Sequence, residues 1–312
     1  MSETDELDPD HLGESGTTQV PRCSVAARAR DDQLPGTALP TSRFLLVEDR
    51  GPWGQAPHPV GSLPEQVATH VHDLARRTSA RLLLIRRTGR ADGASARTWA
   101  LVDTAAQSVR TGVVEHVDDL ARLDPAVDGG PDEDPWYLVC TQGRHDVCCA
   151  VYGRPVVLAL DRVAPGRTWE CTHVGGDRFA ANVLVMPAGL VYGHVDPGSV
   201  GALVDAYAAG RVVPGSLRGR CGHVPAAQVA EHHARMVTGD DTIHAFGHPQ
   251  VAHMGHDRWV VALVHRASGE QLTVELAEHH ADVAVGLTCA ANGPGLLRSW
   301  ELVGLQRAMR RR

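Results

Sequence analysis

Cys140, Cys148, Cys149 and Cys171 are four of the chain's seven cysteines, and His173 and Asp177 follow close behind them. Cys140 closes the apolar run Trp136-Tyr137-Leu138-Val139. A polar loop, Thr141-Gln142-Gly143-Arg144-His145-Asp146, leads from it to the vicinal pair Cys148-Cys149. Cys171 ends a second apolar run that passes directly into Thr172-His173-Val174-Gly175-Gly176-Asp177. Thiolates are soft ligands and imidazole a borderline one, so this grouping suits a thiophilic or borderline metal. The cysteine number is odd, the chain has 312 residues, and Met1-Ser2-Glu3-Thr4-Asp5-Glu6 has neither the cationic nor the apolar part of an export signal. A disulfide framework is therefore not expected, the reducing cytoplasm is the expected compartment, and clustered thiols read as a metal or redox centre. An iron–sulfur site is the leading expectation.

The pieces need two neighbouring strands. Strands are expected at 136–140 and 167–171, with a helix over 147–161 between them. A short helix over 176–182, strands at 183–187 and 190–194 joined through Ala188-Gly189, and a helix over 198–209 complete the unit. A βαβ unit followed by ββα is the order of a thioredoxin-like fold. It puts Cys140 at a strand's C-terminal end, where α/β sites form. Cys149 falls at a helix start, where unpaired N–H groups favour a thiolate, and His173 lies just past the second strand. Gly175 and Gly176 would let backbone N–H groups approach a bound cofactor. For Asp177 a helix N-cap and a metal ligand are both open. Cys148 and Cys171 read as packed thiols, each also a substitute ligand.

Around this unit the chain divides as follows. Residues 1–40 read as a disordered tail. Residues 41–135 read as an N-terminal α/β unit, with buried strands at Phe44–Val47, Arg81–Ile85 and Trp99–Val102 and a helix after Ser62 as its cap. Residues 136–212 form the thioredoxin-like domain, 213–306 a small α+β appendage, and 307–312 a basic tail. The appendage is expected to hold a helix over Pro225–Met236 and strands at Trp259–Val264, Leu272–Leu276, Val283–Leu287 and a short one near Trp300–Leu302. Its histidines fit no H-E-x-x-H pattern and read as surface groups. The hydrophobic fraction is 43%, the net charge is −7, and every basic residue is arginine. A nucleic-acid partner is not expected from that charge, nor a membrane span from any apolar run. Without lysine, P-loop and Schiff-base mechanisms are excluded.

The runs Cys140-Thr-Gln-Gly-Arg-His-Asp-Val-Cys148-Cys149, Trp169-Glu-Cys-Thr-His173-Val-Gly-Gly-Asp177-Arg-Phe-Ala-Ala-Asn182 and Tyr192-Gly193 resemble the sucrase/ferredoxin-like family. The resemblance extends from Cys23-Ser24 and Gly51-Pro52-Trp53-Gly54 to Arg218-Gly219-Arg220. It implies a thioredoxin-like ferredoxin domain holding a [2Fe–2S] cluster through two cysteines and two histidines. Carried onto this chain, the ligands are Cys140, Cys149, His173 and position 177, where an aspartate stands in place of the second histidine. The implied role is one-electron transfer with a redox partner protein. Sucrase chemistry is not supported, since no pair of carboxylates framed by aromatic sugar platforms is visible.

Two other readings compete. A thiol–disulfide oxidoreductase without a cluster could use Cys140 with Cys148 or Cys149, although no C-x-x-C is present. A structural zinc domain could use Cys140, Cys149, Cys171 and His173. A Rieske centre fails, because no cysteine is followed three residues later by histidine.

Overall fold

The computed structural model describes residues 21–55, 61–89, 95–284, 286–290 and 293–309. In chain order the elements are α1 (Cys23–Ala29), β1 (Arg43–Glu48), α2 (Glu65–Arg77), β2 (Arg81–Arg86), β3 (Arg97–Asp103), β4 (Ser108–Val114), β5 (Gly130–Pro131) and β6 (Trp136–Cys140). Then come α3 (Val147–Val163), β7 (Thr168–Cys171), β8 (Val183–Met186), β9 (Leu190–Tyr192), α4 (Val200–Ala208), β10 (Leu217–Arg220), α5 (Pro225–Thr238), β11 (Gln250–Gly255), β12 (Arg258–Val264), β13 (Gln271–Val283) and β14 (Gly295–Ala308).

Ten of these strands form one large mixed sheet in the order β10-β9-β8-β6-β7-β2-β1-β3-β4-β5. β1 and β2 run parallel, as do β6 and β7. The continuous apolar runs of β1, β2 and β6 are buried on both faces, as such runs require. Leu45, Val47, Leu82 and Leu84 pack under α2, while Tyr137, Val139, Val183 and Val185 pack with Val156, Val157 and Leu160 of α3. The opposite face carries Leu46, Leu83, Ile85, Leu138, Cys140, Cys171 and Leu184. A second sheet, β11-β12-β13-β14, is antiparallel throughout and packs against α5.

Several expectations need correction. The stretch from position 22 to 40 is folded: Cys23, Ser24 and Ala27 of α1 are buried, and the side chain of Asp32 is wholly buried between Arg30 and Arg178. Residues 1–20 lie outside the described residues. The boundary expected between 135 and 136 does not separate two sheets, because β2 pairs with β7 across it. Ser62 does not cap α2; its hydroxyl donates to Asp49, and Pro64 precedes the helix. The basic tail begins inside β14, where Arg307 pairs with Glu270, and Arg310–Arg312 lie outside the described residues. Of the strand expected at Val283–Leu287, only Val283 is strand, as the last residue of β13; Ala284, Gly286 and Leu287 lie in the connection that follows, and Val285 lies outside the described residues.

Candidate metal centre

Cys140 ends β6 directly beside Cys171 of the parallel strand β7. The polar turn after β6 folds back on itself, and Asp146 caps α3 by accepting from the Cys148 N–H at 2.8 Å. Helix α3 can lie against the end of β6 because Gly153 has no side chain. A Cβ there would sit 2.3 Å from the Cys140 carbonyl oxygen. That close approach brings Cys149, in the first turn of α3, over Cys140. The loop after β7 is fixed from two sides: the His173 N–H donates to Gln142 Oε1 at 2.7 Å, and Arg81 Nη2 donates to the His173 carbonyl at 3.0 Å.

The Sγ atoms of Cys140 and Cys149 and a ring nitrogen of His173 all lie within 4.8 Å of one another. A second triplet shares His173: ligand atoms of His145, His173 and Asp177 meet the same limit. The Asp177 carboxylate sits between them. Its Oδ1 accepts from Cys149 Sγ at 3.2 Å and lies 2.9 Å from His173 Nδ1, and its Oδ2 lies 3.5 Å from His145 Nε2. The two imidazoles are in contact, with ring centroids 3.8 Å apart. His173 Nε2 accepts from the Gly175 N–H at 3.1 Å, whereas buried Nδ1 has no well-aligned hydrogen-bond partner despite its distance to Asp177. A buried imidazole, two thiols and a carboxylate brought together in this way are a donor set that a cation would satisfy.

The charges are mutually supporting. The Cys149 thiol beside Cys140 is the strongest influence lowering the Cys140 pKa to about 5; it acts against burial and is aided by His173. Burial opposes charge on His173, but Asp177 and Cys140 outweigh it and raise the pKa to about 9. Burial likewise opposes charge on Asp177, yet His145 and His173 hold its carboxyl well below the usual carboxylate range. The Cys149 thiol is pushed up, foremost by the neighbouring Cys140 and then by burial. Binding a cation at this set would release the protons held by the Cys149 thiol and by the His173 imidazole.

The structure thus brings Cys140, Cys149, His173 and Asp177 together, and it adds His145. Asp177 does not act as a side-chain helix cap: Gly176 precedes the short turn, and the carboxylate points into the site. Cys171 stays buried in the sheet and joins neither triplet, so the zinc tetrad that included it is not assembled. Cys148 turns away toward Cys23 and Cys289. Gly175 and Gly176 both adopt left-handed backbone, but the space at Gly176 is filled by the Arg218 guanidinium, 2.3 Å from where a Cβ would lie. His145 was hidden within a polar loop, where no spacing rule marks a ligand. Arg218 stands in the sequence only as part of the resemblance, with no role given; it is fully buried and donates to Gly175 O, Asn182 Oδ1 and Thr37 Oγ1.

Residues 34–219 match the family described as sucrase/ferredoxin-like. Over 82 residues the chain is 34% identical to "Altered inheritance of mitochondria protein 32" of Meyerozyma guilliermondii, a match covering 23% of this chain and 29% of that protein. The chain therefore spans less than a third of the curated relative it matches. No solved structure shows a significant match. Among the described residues no helix is long and apolar enough to cross a membrane.

Proposed function

The chain belongs to the sucrase/ferredoxin-like family, and on that footing we propose that it is a one-electron carrier holding a [2Fe–2S] cluster through Cys140, Cys149, His173 and Asp177. The observation that carries this reading is the convergence of two thiols and an imidazole within 4.8 Å, with the Asp177 carboxylate 2.9 Å from the buried His173 Nδ1. The local topology supports a ferredoxin domain of thioredoxin-like form. Its strand order is β9-β8-β6-β7, with β6 and β7 parallel and β8 antiparallel to β6. When bound, such a cluster supplies a one-electron couple whose potential rises as imidazole replaces thiolate.

The chain's own residues hold and shield it. Cys140 and Cys149 are each 1% exposed, which disfavours a thiol that must meet a protein disulfide. The imidazole edge is the open one, with the His173 and His145 side chains 13% and 22% exposed. A redox partner protein would therefore dock over the two histidines. Asp177 keeps both rings oriented, and Arg218 and Gln142 fix the loops on either side.

One observation favours a second assignment of the fourth ligand. His145 shares the carboxylate of Asp177 with His173 and lies against it, so His145 could complete a two-cysteine, two-histidine set with Asp177 as the orienting group. Anaerobic purification with iron and sulfide, followed by iron and sulfide analysis, visible absorption and EPR after dithionite, tests the whole reading. The expected result is two irons and two sulfides per chain, lost in Cys140→Ser and His173→Ala. Asp177→Asn and His145→Ala decide the fourth position by which of them loses the cluster. A wild-type chain that takes up no iron, or a Cys140→Ser chain with unchanged absorption, refutes the proposal.

A further inference from the structure

Away from this centre, a second set of ligand atoms converges from three distant parts of the chain. Cys23 comes from α1, Cys148 from the first turn of α3, and Cys289 from the connection between β13 and β14. Their Sγ atoms and the Asp146 carboxylate all lie within 4.8 Å of one another. Cys148 Sγ is 3.3 Å from Cys289 Sγ, Cys289 Sγ is 3.5 Å from Cys23 Sγ, and Cys23 Sγ is 3.6 Å from Asp146 Oδ2. We propose that these four residues form a second, structural zinc site, with three thiolates and one carboxylate oxygen as ligands.

The dimensions fit. Four ligands at zinc–sulfur distances of about 2.3 Å and a zinc–oxygen distance of about 2.0 Å set tetrahedral edges of roughly 3.5–3.8 Å. The Cys148–Cys289 and Cys289–Cys23 separations are about 0.5 and 0.3 Å short of the sulfur–sulfur edge, while Cys23–Asp146 is close to the sulfur–oxygen edge, so movement of the partly exposed Cys289 closes the difference. Thiols buried merely as small hydrophobes do not need to face one another around a carboxylate. The surroundings also hold the ligands in place. The Cys23 N–H points at Cys289 Sγ at 3.4 Å, and the N–H groups of Cys148 and Cys289 bind the two oxygens of Asp146 at 2.8 and 2.6 Å. Such N–H donors orient metal ligands and temper their charge. Arg30 and Arg178 lie within electrostatic reach of Cys23, offsetting the negative charge that three thiolates and a carboxylate leave on a divalent ion. Binding requires no oxidant or reductant: zinc enters and the three thiol protons leave to solvent. All four positions are filled by protein, which suits a structural ion rather than a reactive one. The site would join α1 and the β13–β14 connection to the start of α3.

The proposal stands apart from the iron–sulfur reading and is tested separately. The full chain is stripped with chelator and reductant, then titrated with Co2+ as a spectroscopic stand-in for Zn2+, and zinc content is measured on protein purified without chelator. The Cys140→Ser chain, whose other ligand set is incomplete, is expected to take up one equivalent, with thiolate-to-cobalt charge transfer and tetrahedral ligand-field bands. Cys289→Ser, at a partly exposed position, should weaken binding on the order of a hundredfold or more, while its circular dichroism stays that of the stripped wild type. Cys140→Ser, which removes a ligand of the other centre, should leave this uptake intact. The proposal is overturned if the wild type takes up no metal there. Metal uptake that Cys23→Ser and Cys289→Ser both leave unchanged overturns it too, as does a Cys148–Cys289 disulfide in zinc-free purified protein.

Discussion

Replacing Gly176 by alanine tests the loop that presents His173 and Asp177. Gly176 has φ +75°, where an ordinary residue costs about 1–2 kcal/mol. The added Cβ would lie 2.3 Å from Arg218 Nη2 and 2.7 Å from Cζ. The guanidinium cannot swing aside, since it is fully buried and bonded to Thr37, Gly175 and Asn182. Overpacking against so fixed a neighbour costs a further 1–3 kcal/mol or so, about 2–5 kcal/mol in all. At about 2 °C per kcal/mol for a chain of this size, thermal unfolding should fall by roughly 4–10 °C. Gly210 supplies the control: its φ is +70° and a Cβ there meets nothing within 4 Å. Gly210→Ala should therefore lose only about 1–2 kcal/mol, from backbone strain alone. The comparison is made by calorimetry on the two variants and the wild type. Equal losses in the two variants would refute the buttressing of this loop by Arg218.

Three further outcomes are expected. Asp32→Ala leaves Arg178 buried without its carboxylate, so stability measured by urea unfolding should drop by about 3–5 kcal/mol, a loss no disordered tail could cause. Asp132 accepts from Arg167 Nη1 at 2.7 Å and Trp136 Nε1 at 2.9 Å; burial raises its pKa, but these bonds outweigh it and hold the carboxyl below its ordinary value. Its stabilisation is accordingly present above pH about 4 and lost as pH falls through the lower folded-state value. Asp132→Asn should cost about 1–3 kcal/mol at neutral pH, and the difference from wild type should shrink in acid, as urea titrations across pH would record. Cys171→Ala should cost about 1–2 kcal/mol and leave iron and zinc content unchanged, since its thiol joins neither ligand group; metal analysis showing a loss would return Cys171 to the site.

The parts legible in the sequence are those whose signal is local. Runs such as Phe44–Val47 and Trp136–Val139 are apolar without a break, so strands buried on both faces follow directly. The convergence of Cys140, Cys149 and His173 was also within reach, because strand ends and a helix start carry fixed directions. What escaped depends on distance along the chain. Cys23 and Cys289 are 266 positions apart, and no periodicity links them. β10 was missed because Leu217-Arg218-Gly219-Arg220 has the polarity of a turn, while in the fold Arg218 spends its charge on interior carbonyls. β4 escaped for a related reason: Ser108–Val114 alternates weakly and contains a glycine, so its place beside β3 comes from pairing rather than composition.

The adjacent thiols of Cys148 and Cys149 leave the same helical turn in different directions, since successive side chains on a helix diverge by about 100°. One enters the pocket shared with Cys23 and Cys289, the other the pocket shared with Cys140. A tilt or unwinding at the start of α3 would drag both sulfurs at once, so neither pocket can relax privately. One turn of helix and a single peptide bond thus hold the two sulfurs in two separate ligand groups.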